Sequence, residues 1–248
     1  MDTNQISLQL YTVREKAGQD LEATLRQVAE IGYRAVELAG FYGLPAAELR
    51  ARLDAYGLRA ASAHVALKLF EADSAQVFAD MHTLGCEYTI VPFVPEELRQ
   101  NRTQFEQLAA TLNRLAGLAQ AESLKFAYHN HAFEFAPVDG TSMWEVLIAQ
   151  TDPALVNLEL DLYWATIGGC DAFELLKQYS GRFPLLHMKD MAGSEQREDL
   201  PVGEGILPWE KIMVQARSSN TAWYVVEMDR PREVFDDIRT SFERLLQL

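Results

Sequence analysis

Eight short runs of apolar, β-branched and aromatic residues recur along the chain, each followed by a segment of helical periodicity. This alternation constrains the fold more than any other feature. The runs lie at 5–12 (QISLQLYT), 34–39 (RAVELA), 58–65 (LRAASAHV), 88–93 (YTIVPF), 124–131 (LKFAYHNH), 155–162 (LVNLELDL), 183–189 (FPLLHMK) and 223–228 (WYVVEM). Between them, Leu21, Leu25, Val28 and Ala29 mark one apolar helix face, and Phe105, Leu108, Leu112, Leu115 and Ala119 mark a longer one. Val234, Ile238, Phe242 and Leu245 repeat the stripe on a closing C-terminal helix, at the spacing of an amphipathic helix. Eight strand–helix repeats imply a parallel sheet closed on itself, a single (β/α)₈ barrel. The 248 residues match the roughly 250 that such a barrel needs, and no linker-like stretch divides 1–248 into domains. An open doubly wound sheet would carry a glycine-rich phosphate loop after its first strand, where this chain reads YTVREKAG.

Local punctuation adds detail. Pro45 and Pro208 are expected in the first turns of helices, and Asp171 with Glu174 resembles a capping box. Segments 66–73, 132–142 and 190–207 are expected as the longer loops at the barrel mouth, where substrate contacts and lids commonly lie.

A net charge of −14, from 22 basic and 36 acidic residues, argues against a nucleic-acid partner, which would need a basic stripe to displace counterions. Cys86 and Cys170 belong to no CxxC pattern and read as free thiols of a reducing compartment. The N-terminus lacks the basic and apolar regions of a signal peptide, and no run approaches the roughly 18 apolar residues of a membrane span. The expectation is a soluble cytoplasmic protein without membrane partners.

Four strand-like runs stop abruptly at ligand-type residues: Glu134 after YHNHAF, Asp161 in LELDLYW, His187 in LLHMKD and Glu227 in YVVEMD. In a parallel barrel all strand ends of one kind meet at one mouth. Three carboxylates and an imidazole converging there suit a divalent cation. Glu134 lies three residues past His131, which leaves open whether it or His129 or His131 sits nearer the cation. His129 and His131, two apart on one expected strand, should share a face, with His131 the better candidate for a substrate hydroxyl or a proton relay. His64 and Glu37 end earlier strands and are candidate pocket residues, Glu37 alternatively bracing its neighbours. Lys189 shares the face of His187 and is expected either to reach a substrate oxygen or to form a strand-end salt bridge. Trp164 is expected to offer an aromatic face to a sugar, and the VGEG stretch (202–205) to approach ligand or simply to turn.

From SLQLYTVRE and IGYRAVEL through YHNHAFEF, LELDLYW and HMKD to VGEG and VVEMD, the chain resembles the xylose isomerase-like TIM barrels. It is most similar to their sugar phosphate isomerase/epimerase group with the YHNHxFEF signature. The resemblance implies a Glu, an Asp, a His and a second Glu as ligands of one divalent cation (Mn²⁺, Mg²⁺, Co²⁺ or Zn²⁺), matching Glu134, Asp161, His187 and Glu227. It further implies that Glu134 and Glu227 exchange protons with substrate. The expected activity is isomerisation or epimerisation of a small sugar or polyol by proton abstraction next to a carbonyl, through a cation-stabilised enediolate. The alternative keeps the site but eliminates a group from a keto-sugar, keto-inositol or 3-keto-glycoside. A more distant alternative is phosphodiester hydrolysis of the endonuclease IV kind. Homo-oligomers occur among such relatives, so one is compatible with the resemblance.

Overall fold

The computed structural model describes residues 2–248. Eight strands form the barrel: β1 (Ile6–Gln9), β2 (Ala35–Ala39), β3 (Arg59–His64), β4 (Tyr88–Val91), β5 (Lys125–His129), β6 (Val156–Asp161), β7 (Leu185–Met188) and β8 (Trp223–Val226). Each pairs in parallel with its sequence neighbours, and β1 pairs with β8 to close the sheet. The expected barrel is therefore present, and the open-sheet alternative is excluded. Two small antiparallel ribbons, Pro137–Val138 with Thr141–Ser142 and Asp190–Met191 with Asp199–Leu200, fold over the ends of β5 and β7.

Local chemistry sets the helices around the barrel. The helix Leu21–Ile31 begins where Asp20 accepts from the Ala23 N–H, an N-cap that satisfies a backbone donor lacking an intrahelical partner. It buries Leu21, Leu25, Val28 and Ile31 and ends at Gly32, whose φ of 128° excludes most side chains. A Cβ there would also lie 2.7 Å from the Phe242 ring. That ring belongs to the closing helix Val234–Gln247 and packs 4.7 Å from Tyr33, so the chain's two ends meet across Gly32. Ser142 and Glu145 form a reciprocal capping box on Met143–Gln150.

Several boundaries differ from expectation. Segment 66–73 is not a loop: Leu67–Leu84 is helical, interrupted only at Asp73, whose extended backbone kinks it. Pro45 and Pro208 stand one residue before their helices rather than inside them. Asp171 caps through the Phe173 and Glu174 N–H groups. Strand β5 ends at His129, leaving His131 in the loop that follows.

The barrel interior has two layers of different chemistry. Ala35, Ala61, Tyr88, Ile90, Ala127, Leu185, Trp223 and Val225 form an apolar plug separate from the larger core between sheet and helices. Above it, at the carboxyl ends of the strands, the inward positions are polar. Gln9, Glu37 and Ser62 lie side by side in register across β1, β2 and β3; His129 pairs with Glu159, and Asp161 with His187. Because side chains alternate along a strand, Glu159 and Asp161 both face inward, a residue apart in that stack.

Candidate metal centre and active site

His187 lies at the centre of the polar layer with no exposed surface. Its Nδ1 is 2.9 Å from Glu227 Oε2 and 3.9 Å from Asp161 Oδ2. On the opposite side its Nε2 is 2.8 Å from Glu37 Oε1 and 3.1 Å from Glu159 Oε2. The ring thus divides two groups: Asp161, His187 and Glu227 on one side, and His64, His129, Glu159 and His187 on the other, each with ligand-type atoms within 4.8 Å of one another. Lys189, fully buried, places its ammonium 3.1 Å from Asp161 Oδ2, 2.9 Å from Glu227 Oε2 and 2.8 Å from Asp229 Oδ2.

Burial raises the proton affinity of carboxylates, and the nearby cationic groups counter it. For Glu159, burial and Glu37 push up while His187 and His64 pull down, and the outcome is about 2. Glu227 is held well below the usual carboxylate range, with burial opposed by Lys189 and His187. Asp161 goes the other way, to about 6, because burial outweighs Lys189 and His187. His131, desolvated and facing Lys189, is depressed to about 4 and is neutral at pH 7.

A cavity of about 480 Å³ reaches this layer from the mouth, lined by Tyr11, Ala39, Gly40, His64, Ala66, Leu69, Pro92, Phe93, His129, His131, Glu227 and Asp229. Three larger surface clefts, of about 640, 670 and 510 Å³, touch none of the histidines, so contact with His64, His129 and His131 singles out the smaller cavity. His131 stacks on Phe133 and tilts against Trp164, with Phe93 edge-on; together they form one aromatic wall.

The structure brings together most of the residues expected from the sequence and places Glu134, Glu37 and Trp164 outside the cavity lining. Asp161, His187 and Glu227 converge, and His64, His129 and His131 line the cavity. Glu134 does not join them. It is fully buried in the short turn Phe133–Phe135, where Tyr128 Oη donates to Oε1 at 2.7 Å and the His131 N–H donates to Oε2 at 2.8 Å. Each carboxylate oxygen thereby has a local donor, and burial lifts the carboxyl to about 7. Glu37 is a floor residue, bonded to Gln9 and Ser62, rather than a cavity residue. Lys189 takes the salt-bridge alternative. Trp164 reaches the cavity only through His131. The 202–205 stretch is a turn: the buried Asp190 carboxylate accepts from the Gly203, Gly205 and Leu207 N–H groups and from Trp209 Nε1.

Glu159, Asp229 and Tyr11 were not anticipated. Glu159 had a legible signal, since it stands two residues before Asp161 in one strand and period-2 alternation gives both the same face.

The donor set suits a divalent cation. Glu159 Oε1 is buried without a hydrogen-bond partner, and Asp161 Oδ2 has only its ion pair with Lys189 at 3.1 Å; a buried oxygen without a partner is costly unless something else satisfies it. Imidazole nitrogens mixed with carboxylate oxygens are the ligands of borderline divalent metals.

Among known proteins, the inosose dehydratase of Geobacillus kaustophilus is 32% identical over 193 residues, covering 68% of this chain and 62% of that protein. The chain thus matches somewhat under two thirds of that relative's length. A sugar phosphate isomerase/epimerase from Parabacteroides distasonis is 25% identical, with a TM-score of 0.85 and 98% of each chain covered. The IolI protein with a bound zinc atom shares the fold at 14% identity, with a TM-score of 0.74 over 98% of this chain and 97% of that one. The family model of xylose isomerase-like TIM barrels matches residues 25–248. Sequence match and closed parallel barrel agree, and this chain belongs to the xylose isomerase-like TIM barrel family.

Proposed function

We propose that this protein is a divalent-metal-dependent dehydratase acting on a cyclic keto-polyol of the inosose type. The observation that carries the reading is the buried Asp161, His187 and Glu227 group beside a cavity of about 480 Å³, a volume that suits a small polar ligand. The inosose dehydratase similarity supports elimination over simple isomerisation. Asp161, His187 and Glu227 would hold the cation. A divalent ion there acts as a Lewis acid, lowering the cost of negative charge on a carbonyl oxygen.

The chain's own residues supply the rest. Phe93, which lines the cavity, accepts the C–H face of the ring, while neutral His131, packed against Phe133 and Trp164, hydrogen-bonds a substrate hydroxyl. Glu227, ionised at neutral pH and lining the cavity, takes the proton from the carbon next to the ketone. The same carboxyl then returns that proton to the hydroxyl leaving from the adjacent carbon, so one water departs and a carbon–carbon double bond forms. Lys189, held against Asp161, Glu227 and Asp229, offsets their charge and keeps Glu227 a carboxylate.

The structural likeness to a sugar phosphate isomerase/epimerase favours a second reading with the same first step, in which the proton returns to carbon and no water is lost. Incubation with inosose and added Mn²⁺ or Co²⁺ in deuterated water separates the two. An ultraviolet-absorbing enone, absent with Glu227→Gln, supports dehydration. Deuterium incorporation without enone supports isomerisation or epimerisation. Equal enone formation by wild type and Glu227→Gln would refute the assigned role.

A further inference from the structure

Below His187, three imidazole nitrogens converge on one carboxylate oxygen. Glu159 Oε2 lies 2.7 Å from His64 Nε2, 3.0 Å from His129 Nδ1 and 3.1 Å from His187 Nε2. The other oxygen, Oε1, is buried and has no partner. Hydrogen bonding accounts for only part of this arrangement: Oε2 bonds His64 and His129, while its twin Oε1 is left unsatisfied in a dry interior. A metal would also engage the idle carboxylate: with bonds of about 2.1 Å, neighbouring ligand atoms in a coordination shell stand roughly 3.0–3.4 Å apart, so the His129 and His187 nitrogens already lie at that spacing from Oε2 and His64 Nε2 need move out by only a few tenths of an ångström.

Charge leads to the same place. Five carboxylates (Glu37, Glu159, Asp161, Glu227 and Asp229) share the layer with one ammonium, Lys189. One divalent ion together with Lys189 balances Asp161, Glu227 and Asp229. Glu37 and Glu159 remain, two buried negative charges on the far side of His187 with only the imidazoles of His64, His129 and His187 against them, and buried charge left without a partner is strongly unfavourable.

We propose that the barrel floor holds a second divalent transition-metal ion, bound by His64, His129 and Glu159, with the fourth position facing Nε2 of His187 and Oε1 of Glu37. Its imidazole-rich shell selects Zn²⁺, Co²⁺ or a similar borderline ion over Mg²⁺ or Ca²⁺. The Gln9 and Ser62 side chains fix Glu37 from behind, so the ion is enclosed by protein and anchors three strands beneath the substrate cavity. The lower site stands on its own geometry; only the count of two rests on the upper site proposed above.

The test is a Co²⁺ titration of the metal-stripped full-length protein, read by visible d–d absorbance, with bound metal counted by mass spectrometry after dialysis. The expected result is two ions per wild-type chain. His64→Gln and Glu159→Gln should each retain one ion and lose the same absorbance component, while Glu227→Gln should retain that component. One ion abolished by His64→Gln but kept by Glu227→Gln would support the lower site and overturn the upper one. One ion insensitive to His64→Gln and Glu159→Gln would overturn the lower site and leave the functional reading standing. Two ions in wild type, His64→Gln and Glu159→Gln alike would also overturn the lower site, and no binding in wild type would overturn both.

Discussion

Replacing Asp190 by Ala should destabilise the barrel more than its position in a two-residue ribbon beyond the barrel strands suggests. The carboxylate accepts five hydrogen bonds, from the N–H groups of Met191, Gly203, Gly205 and Leu207 at 2.8, 2.9, 2.9 and 3.1 Å and from Trp209 Nε1 at 2.6 Å. Gly203 is exposed and Leu207 half-buried, so water replaces part of what those two lose. Met191 and Trp209 are 3% and 2% exposed, and together with half-buried Gly205 they leave three donors poorly served. At about 1–2 kcal/mol for each unsatisfied donor, the loss is about 4 kcal/mol. With a urea m-value of about 3 kcal/mol/M for a chain of this size, the unfolding midpoint should fall by about 1.3 M. Asp190→Asn keeps the shape and one acceptor oxygen but turns an amino group toward some of the donors, so about half that shift is expected. The measurement is urea unfolding followed by far-ultraviolet circular dichroism. A fall below about 0.3 M for Asp190→Ala, with native spectra retained, would refute the view that this carboxylate organises the turn.

Three other positions, Glu134, Lys189 and Gly205, give further tests. Glu134 is lifted from 4.5 to about 7 in the folded state, so folding favours its protonated form. The resulting stability is fully present below pH 4.5 and is lost as pH rises through 7. Between those values wild type should lose up to about 1.4 kcal/mol per pH unit relative to Glu134→Gln, and parallel stability–pH curves for the two proteins would contradict this. Lys189→Met leaves Asp161, Glu227 and Asp229 without their ammonium, at a cost of about 3–5 kcal/mol. Added Co²⁺ should therefore raise the melting temperature of Lys189→Met more than that of wild type, and an equal rise in both would count against the charge argument. A Cβ at Gly205 would overlap Asp190 Oδ1 and the Met191 carbonyl. Gly205→Ala should then lower the urea midpoint in the same direction as Asp190→Ala without adding fully to it in the double variant; full additivity would show that the two residues do not act together.

The layout of the site was partly legible. Runs that end at Asp161, His187 and Glu227 identify strand ends, and a parallel barrel leaves strand ends one place to meet. The misplacement of Glu134 has a specific cause. Strand β5 stops at His129, and the chain then turns through Phe133–Phe135, so position along the sequence no longer reports direction. The Tyr128 hydroxyl and the His131 N–H supply local donors that draw the carboxylate back from the cavity. Lys189 presented two readings of comparable weight, and the placement of Asp229 opposite it decided between them.

The sequence by itself pointed to the closed barrel, because eight apolar runs alternating with amphipathic helices imply a parallel sheet covered by helices, and the lack of a glycine-rich loop after the first run weighed against leaving that sheet open. It also determined that polar ligand-type residues gather at one mouth, since alternation along each strand is a local property of the backbone. Tertiary structure alone decided which of those residues touch. Strand stagger around the barrel sets Glu159 opposite His129 and Asp161 opposite His187, placing His187 between two carboxylate groups. That stagger depends on how all eight strands close together, and no single segment encodes it.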